Sequence, residues 1–298
     1  MVAPSGEQLE IAAAGYRAVI TECGAGLRVL EHDGRHLVAG YPEDAPSSSG
    51  RGQLLLPWPN RICDGRYDFD GVRHQLPLTE VERGHASHGL TRWDAWTVGQ
   101  HLGDSVTLAH RLMGRPGYPW TIDLTAIYAV SDRGLDVEMT ATNRTDRRAP
   151  YAAGAHPYLS AGPGDLDTWE LTLPAATVLE TDDRLIPTVE VDVTGSELDF
   201  RTPRPIGDLV VDAAFGGIER DDDGWGEVRL RGPHGDVVLR VDEHCGWFQV
   251  FTGPPGRRDG LAVEPMTAPP NAFATGRDLL VLEPEEPVTV RWQIGLAD

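Results

Sequence analysis

Apolar and polar residues alternate with a period of two along much of this chain. The stretches 106–112, 121–130, 135–141, 227–231, 237–242, 247–252 and 288–294 show either that alternation or a β-branched enrichment over strand-like lengths, as expected where successive side chains point to opposite faces of a sheet. Two Asp-Gly dipeptides sit between such runs. Asp33-Gly34 separates 27–30 from 36–38, and Asp70-Gly71 separates 67–69 from 72–74, so both predict two-residue hairpins, whose turn positions need positive φ. No stretch holds a helical period for three turns. With 34 Gly and 23 Pro as punctuation, the pattern predicts an all-β fold, most simply a large antiparallel β-sandwich.

Loop signals refine this reading without dividing the chain. The segment 42–52, containing Pro46-Ser47-Ser48-Ser49-Gly50, reads as the main flexible loop, and 219–226, containing Asp221-Asp222-Asp223, reads as a solvated hairpin tip. A calcium loop would need ligands spaced around a turn Gly with a terminal Glu, and that spacing is missing. No internal repeat and no linker is evident, so residues 1–298 are expected to form one domain.

Composition removes several chemistries. The chain has 46 acidic and 26 basic residues, a formal charge of −20, and every basic residue is Arg. Without lysine there is no Schiff-base lysine, no pyridoxal phosphate anchor and no Walker A lysine. Net acidity argues against nucleic acid, which calls for a basic footprint. No apolar run approaches the roughly 20 residues that cross a bilayer, and nothing at 1–6 resembles a signal peptide. Cys23, Cys63 and Cys245 form no Cys-x-x-Cys pair, so neither a disulfide framework nor a zinc knuckle is expected and the cytoplasm is the natural compartment. The partner that fits is a small neutral molecule.

Two segments carry candidate chemistry. In the run from Gly260 to Phe273, an apolar strand leads into Glu264 and then a proline-rich loop, a setting that can raise a carboxyl pKa toward the range useful for proton transfer. In Tyr151-Ala152-Ala153-Gly154-Ala155-His156-Pro157-Tyr158-Leu159 a lone His stands among small and apolar residues. Taken alone, Glu264 reads equally well as a solvated strand end. His85 and His88 form a His-x-x-His pair, half of a metal site. No closely spaced third ligand accompanies it, so no metal is expected.

Together these segments resemble the aldose 1-epimerase (galactose mutarotase) family. Asn60-Arg61-Ile62 followed by Gly65, Tyr67, Phe69 and Gly71 is similar to the family's early motif, His88-Gly89-Leu90 to its first His-Gly motif, and Asp212-Ala213-Ala214-Phe215 to its sugar-binding Asp segment. The resemblance runs from about Leu54 to the C-terminus and implies the family's supersandwich fold. It also implies cofactor-free interconversion of the α and β anomers of a sugar, with Glu264 as base, His156 as acid on the opposite side of the C1–O5 bond, and His88 near the ring oxygen. Arg61 would bind hydroxyl oxygens or orient Glu264, Asp212 would accept from adjacent hydroxyls, Asn60 would join them in binding the substrate, and Asn271 would anchor the loop behind Glu264. Trp58, Trp93 and Trp247 are candidate walls for the sugar ring.

One departure bears on the substrate. His88-Gly89-Leu90-Thr91-Arg92-Trp93 replaces a His-Gly-Gly run and resembles the hexose-6-phosphate branch, where Arg92, with Arg51 or Arg73, would meet the phosphate. No tight basic cluster flanks Arg92, so a free aldohexose is expected, with hexose 6-phosphate or a non-catalytic carbohydrate-binding sandwich as alternatives. A glycosidase would use Glu264 and Asp212 but leave His156 without a task.

Overall fold

The computed structural model describes residues 2–253 and 258–297; Met1, part of the stretch read for a leader, and Asp298 lie outside them. All the strands expected from alternation are present, with ends shifted by no more than two residues. A nine-stranded antiparallel sheet runs in the order Thr97–His101, Ser105–Leu112, Ile122–Ser131, Gly134–Asn143, Pro287–Leu296, Gly235–Val241, Gly226–Gly232, Glu170–Thr172, Arg204–Pro205. Its long strands bury every second residue, which is what one apolar face and one wet face require.

An eight-stranded antiparallel sheet contains Pro187–Asp192, Ala175–Thr181, Asp212–Ile218, Trp247–Phe251, Leu261–Met266, Gly154–Ala155 and Leu54–Leu55 in that order, with Tyr158–Leu159 also paired to Leu261–Met266. Apolar residues of both sheets meet in one core cluster that extends from Leu9 to Ile294. Two strands of the second sheet are buried on both faces, Leu261–Met266 completely and Trp247–Phe251 in all but its last residue. A second cover therefore lies over the outer face, and the site sits beneath it.

Both Asp-Gly hairpins form, with φ of 48° and 80° at Asp33 and Gly34 and 48° and 76° at Asp70 and Gly71. Several strands were not expected from the sequence, among them Gln8–Ala13 and Asp212–Ile218. The second is rich in Ala and Gly, so its state is set by pairing to neighbours rather than by propensity. The acid run is a correction as well. It does not cap a hairpin but carries the chain from Asp212–Ile218 in one sheet to Gly226–Gly232 in the other, and the Asp221 carboxylate accepts from the backbone N–H of Asp223 and Trp225. Among the described residues no helix is long and apolar enough to cross a membrane.

Candidate active site

Register builds the centre of the site. Val263 pairs with Val250 and both belong to the core, so their neighbours Glu264 and Gln249, paired one step along, point to the outer face. On the other side Gly154 pairs with Met266 and Tyr158 with Ala262, which sets His156 opposite Glu264. The His156 Nε2 and Glu264 Oε1 atoms are 3.2 Å apart. Gln249, Glu264 and His156 thus form one row across three chain segments.

Two expectations change here. The strand does not end at Glu264 but continues through Met266, and the carboxyl residue is only 2% exposed. Nor do Glu264 and His156 face each other across an open gap; they are in direct contact. Glu264 Oε2 and His156 Nδ1 are buried without a hydrogen-bond partner among the described residues.

His88 arrives on a different element. The strand Arg61–Cys63 pairs with His85–Ser87, and one step beyond it the His88 N–H donates to the Asn60 carbonyl while the Asn60 N–H donates to His88 Nδ1 at 3.1 Å. Both residues take positive φ, 53° at Asn60 and 57° at His88. Gly89 follows with φ of 74°, and a Cβ there would lie 2.0 Å from the Leu56 carbonyl oxygen. Because His88 Nδ1 accepts a hydrogen bond, the neutral ring carries its proton on Nε2 and acts as a donor.

That tautomer decides the metal question. His88, His156 and Glu264 each place one ligand-type atom within 4.8 Å of the others, close enough to suggest an ion. A ligating His normally offers a bare nitrogen to the metal and donates its other N–H outward. Here one His88 nitrogen faces a donor and the other bears the proton, so the donor set does not fit. The His-x-x-His reading fails too, since His85 Nε2 bonds to the Arg184 carbonyl at 3.0 Å and its ring serves a different contact.

Burial dominates the titration of all three groups. Glu264 is raised well above the ordinary carboxyl range by desolvation and by Asp212, against the opposing pull of Arg61 and Arg92. Desolvation also lowers His156 to about 3, aided by Arg92 and Arg51 and opposed by a backbone hydrogen bond. His88 falls well below 6.5 through desolvation, His156, Arg92 and Arg61. Between these limits Glu264 and His156 hold one proton between them.

Glu264, His156, His88, Asn60, Arg61, Asp212 and Arg92 all line one pocket of about 400 Å³. Arg61 does not grip Glu264. Its Nε and Nη2 reach the two Glu80 oxygens at 2.8 and 3.3 Å, and Nη2 stands 3.8 Å from Asp212. Burial would raise Glu80, but its bonds to Arg61 and Arg83 prevail and hold it below the usual range. Asp212 opens a strand rather than occupying a turn, and accepts from Gln249 Nε2 at 2.5 Å. Arg92 is half-buried and its guanidinium has no ion pair or hydrogen bond from a described residue; burial lowers its pKa and Glu264 opposes that. Arg73 is engaged with Asp68 on an exposed hairpin and does not line this pocket.

Of the three tryptophans, Trp58 and Trp247 are buried, whereas Trp93 is 58% exposed and lines the pocket. Asn271 clamps the loop after Glu264 to the Arg61 strand: its N–H donates to the Arg61 carbonyl at 2.7 Å and its Oδ1 accepts from the Cys63 N–H at 3.0 Å. Glu80 and Gln249 escape the sequence reading. A polar residue inside the apolar run Trp247-Phe248-Gln249-Val250-Phe251 is a usable signal for Gln249; Glu80 offers none.

The description of the aldose 1-epimerase family matches residues 7–295, which extends the likeness to the N-terminal strands. The chain is 36% identical over 285 residues to YihR, an uncharacterised protein of Escherichia coli K12, covering 95% of this chain and 91% of that one. Rat galactose mutarotase is 31% identical over 155 residues, covering 50% of this chain and 44% of that protein. Among solved structures, an aldose epimerase homologue from Caenorhabditis elegans superposes with a TM-score of 0.83 at 21% identity, covering 98% of this chain and 99% of that one.

Proposed function

The chain belongs to the aldose 1-epimerase family, and we propose that it interconverts the α and β anomers of an aldohexose by acid–base opening and closing of the ring. The observation that carries this reading is the buried Glu264–His156 contact at 3.2 Å. The free pair holds one proton. With sugar bound, the carboxylate form of Glu264 takes the C1 hydroxyl proton while the protonated form of His156 gives its proton to the ring oxygen, and the C1–O5 bond breaks to leave an aldehyde. The transfer converts a buried ion pair into a buried neutral pair, the form that desolvation favours at both residues. Rotation about C1–C2 and the reverse transfers close the ring on its other face.

His88 supports the reaction as a neutral donor, its Nε2–H available to the oxygen on which charge develops. Arg61, held by Glu80, and Asp212, held by Gln249, offer fixed donors and acceptors to ring hydroxyls. No step calls for a redox cofactor. Polarimetric relaxation of freshly dissolved α-glucose and α-galactose tests the reading, with Glu264→Gln as control. Catalysis over the spontaneous rate that falls about 10²- to 10⁴-fold in the variant is expected. A folded Gln variant with most of its activity overturns the assignment.

A second reading, hexose 6-phosphate, is favoured by Arg92. A guanidinium does not shed its proton, so a half-buried one with no ion-pair partner among the described residues suits an anionic group on the substrate. Glucose 6-phosphate with a direct readout of its anomers separates the two.

A further inference from the structure

The strands Ala175–Thr181 and Pro187–Asp192 form a hairpin at one edge of the eight-stranded sheet, and its tip meets the layer that carries Arg61 and His88. Asp182 shapes that tip. Its Oδ1 accepts from the backbone N–H of Arg184 and of Ile186, both at 2.9 Å, while Leu185 takes a φ of 62°. The Arg184 side chain crosses to the other layer, where Nε donates to the Arg83 carbonyl at 3.0 Å and Nη2 to Asp64 Oδ1 at 2.6 Å and to the Gly84 carbonyl at 3.4 Å. His85 answers from the far side. Its Nε2 donates to the Arg184 carbonyl at 3.0 Å, so Nδ1 turns a lone pair toward Arg184 Nη2, 3.5 Å away. A Cβ on Gly84 would lie 3.1 Å from that Nη2, so the glycine leaves the guanidinium its room.

An ion pair as exposed as Arg184–Asp64 contributes little by itself. What matters is where the other bonds fall. Arg83, Gly84 and His85 close a turn that begins at Glu80: the Gly84 N–H donates to the Glu80 carbonyl at 2.9 Å, the Glu80 N–H to the His85 carbonyl at 3.0 Å, and Arg83 Nη1 to Glu80 Oε1 at 2.8 Å. Glu80 in turn holds the Arg61 fork. A chain of bonds therefore runs from the hairpin tip through the 80–85 turn to Arg61. Behind the site, Leu185 and Pro187 join Asn60, Arg61, Asp212 and Gln249 around a cavity of only about 10 Å³, which leaves these side chains no room to retreat. We propose that Arg184 is a positioning residue for sugar binding: it pins the hairpin to the 80–85 turn, so that Glu80 presents the Arg61 guanidinium to the ring hydroxyls. The proposal rests on the mutarotase reading and adds to it a residue that does not line the pocket.

Initial rates of glucose mutarotation against sugar concentration give kcat and KM separately. Arg184→Ala should raise KM about three- to tenfold and leave kcat within about threefold, because Glu264 and His156 are set by strand pairing within the sheet rather than by the layer that loosens. Asp182→Ala keeps the guanidinium but removes the acceptor that shapes the turn, and should act in the same direction. A double-mutant cycle then separates positioning of Arg61 from a general loss of structure. With Arg61→Ala already in place, Arg184→Ala should change KM by less than about twofold. A KM within about twofold of the unmodified protein in Arg184→Ala, or a rise of equal size with Arg61 present and absent, overturns the positioning role alone. A protein that accelerates no sugar at all overturns the mutarotase reading, and this role with it.

Discussion

Replacing Glu264 by Gln should make the protein more stable as pH rises, while removing its activity. In the folded protein the carboxyl is held well above its ordinary range by burial, so from about pH 4.5 up to its folded pKa the folded state carries one more proton than the unfolded chain. Stability therefore falls with rising pH across that window, by about 1.4 kcal/mol for each unit. The amide keeps the shape, can donate to His156 Nε2 as the protonated acid does, and does not titrate. His156 works in the opposite sense. Its lowered pKa makes stability fall as pH drops from about 6.5 toward 3, but this slope is present in both proteins and drops out of their difference. Urea unfolding of both proteins at pH 5, 6, 7 and 8 gives that difference directly. The variant's advantage should be small near pH 5, grow by about 1.4 kcal/mol per unit, and level off above the folded pKa. An advantage that is flat from pH 5 to 8, or that shrinks, would mean that Glu264 is ionised in the folded protein, and the single-proton account of the pair would fail.

The same account predicts a plot of log kcat/KM against pH that stays level from pH 7 down to 5, since the acid limb follows His156 at about 3 rather than a free imidazole; a decline centred near 6.5 would contradict it. His156→Ala should lose about 10²- to 10⁴-fold in kcat, whereas His85→Ala, whose ring bonds the Arg184 carbonyl, should lower the unfolding midpoint and leave kcat within about threefold. Glu80→Gln should lower kcat/KM about ten- to a hundredfold, mainly through KM, by releasing the Arg61 fork from its charged partner; unchanged sugar affinity would remove Arg61 from the binding surface. Arg92→Ala should change glucose and glucose 6-phosphate little if the substrate is a neutral hexose, and a selective loss of about ten- to a hundredfold for the phosphosugar would move the assignment to that branch.

Strand content was legible because alternation is local: 121–130 and 135–141 needed no partner to be recognised, and both hairpins were written in an Asp-Gly pair. The strand Asp212–Ile218 was not legible, because its Ala and Gly residues take their state from the strands beside them. At the site, the residue types that move protons could be read, but their relation could not. That His156 stands opposite Glu264 follows from how two short pieces pair with one strand, and that Arg61 turns to Glu80 rather than to Glu264 follows from the fold of a separate hairpin layer. Direct contact within the acid–base pair, where a gap had been expected, is information about register rather than composition.

The hydrogen bond from the Asn60 backbone to His88 gives the site a control that resides in the main chain of Asn60 rather than in its side chain. Truncating Asn60 to Ala would leave the N–H itself in place, so a scan that credits each position to its side chain would assign any loss to the missing amide and pass over the backbone group that sets which nitrogen of His88 bears the proton. What holds that N–H in position is a left-handed backbone, accessible to Asn and Gly and strained for most other residues. A substitution at Asn60 would then act on His88 through backbone geometry, and its severity would rank by the new residue's tolerance for φ near 53° rather than by its size or polarity.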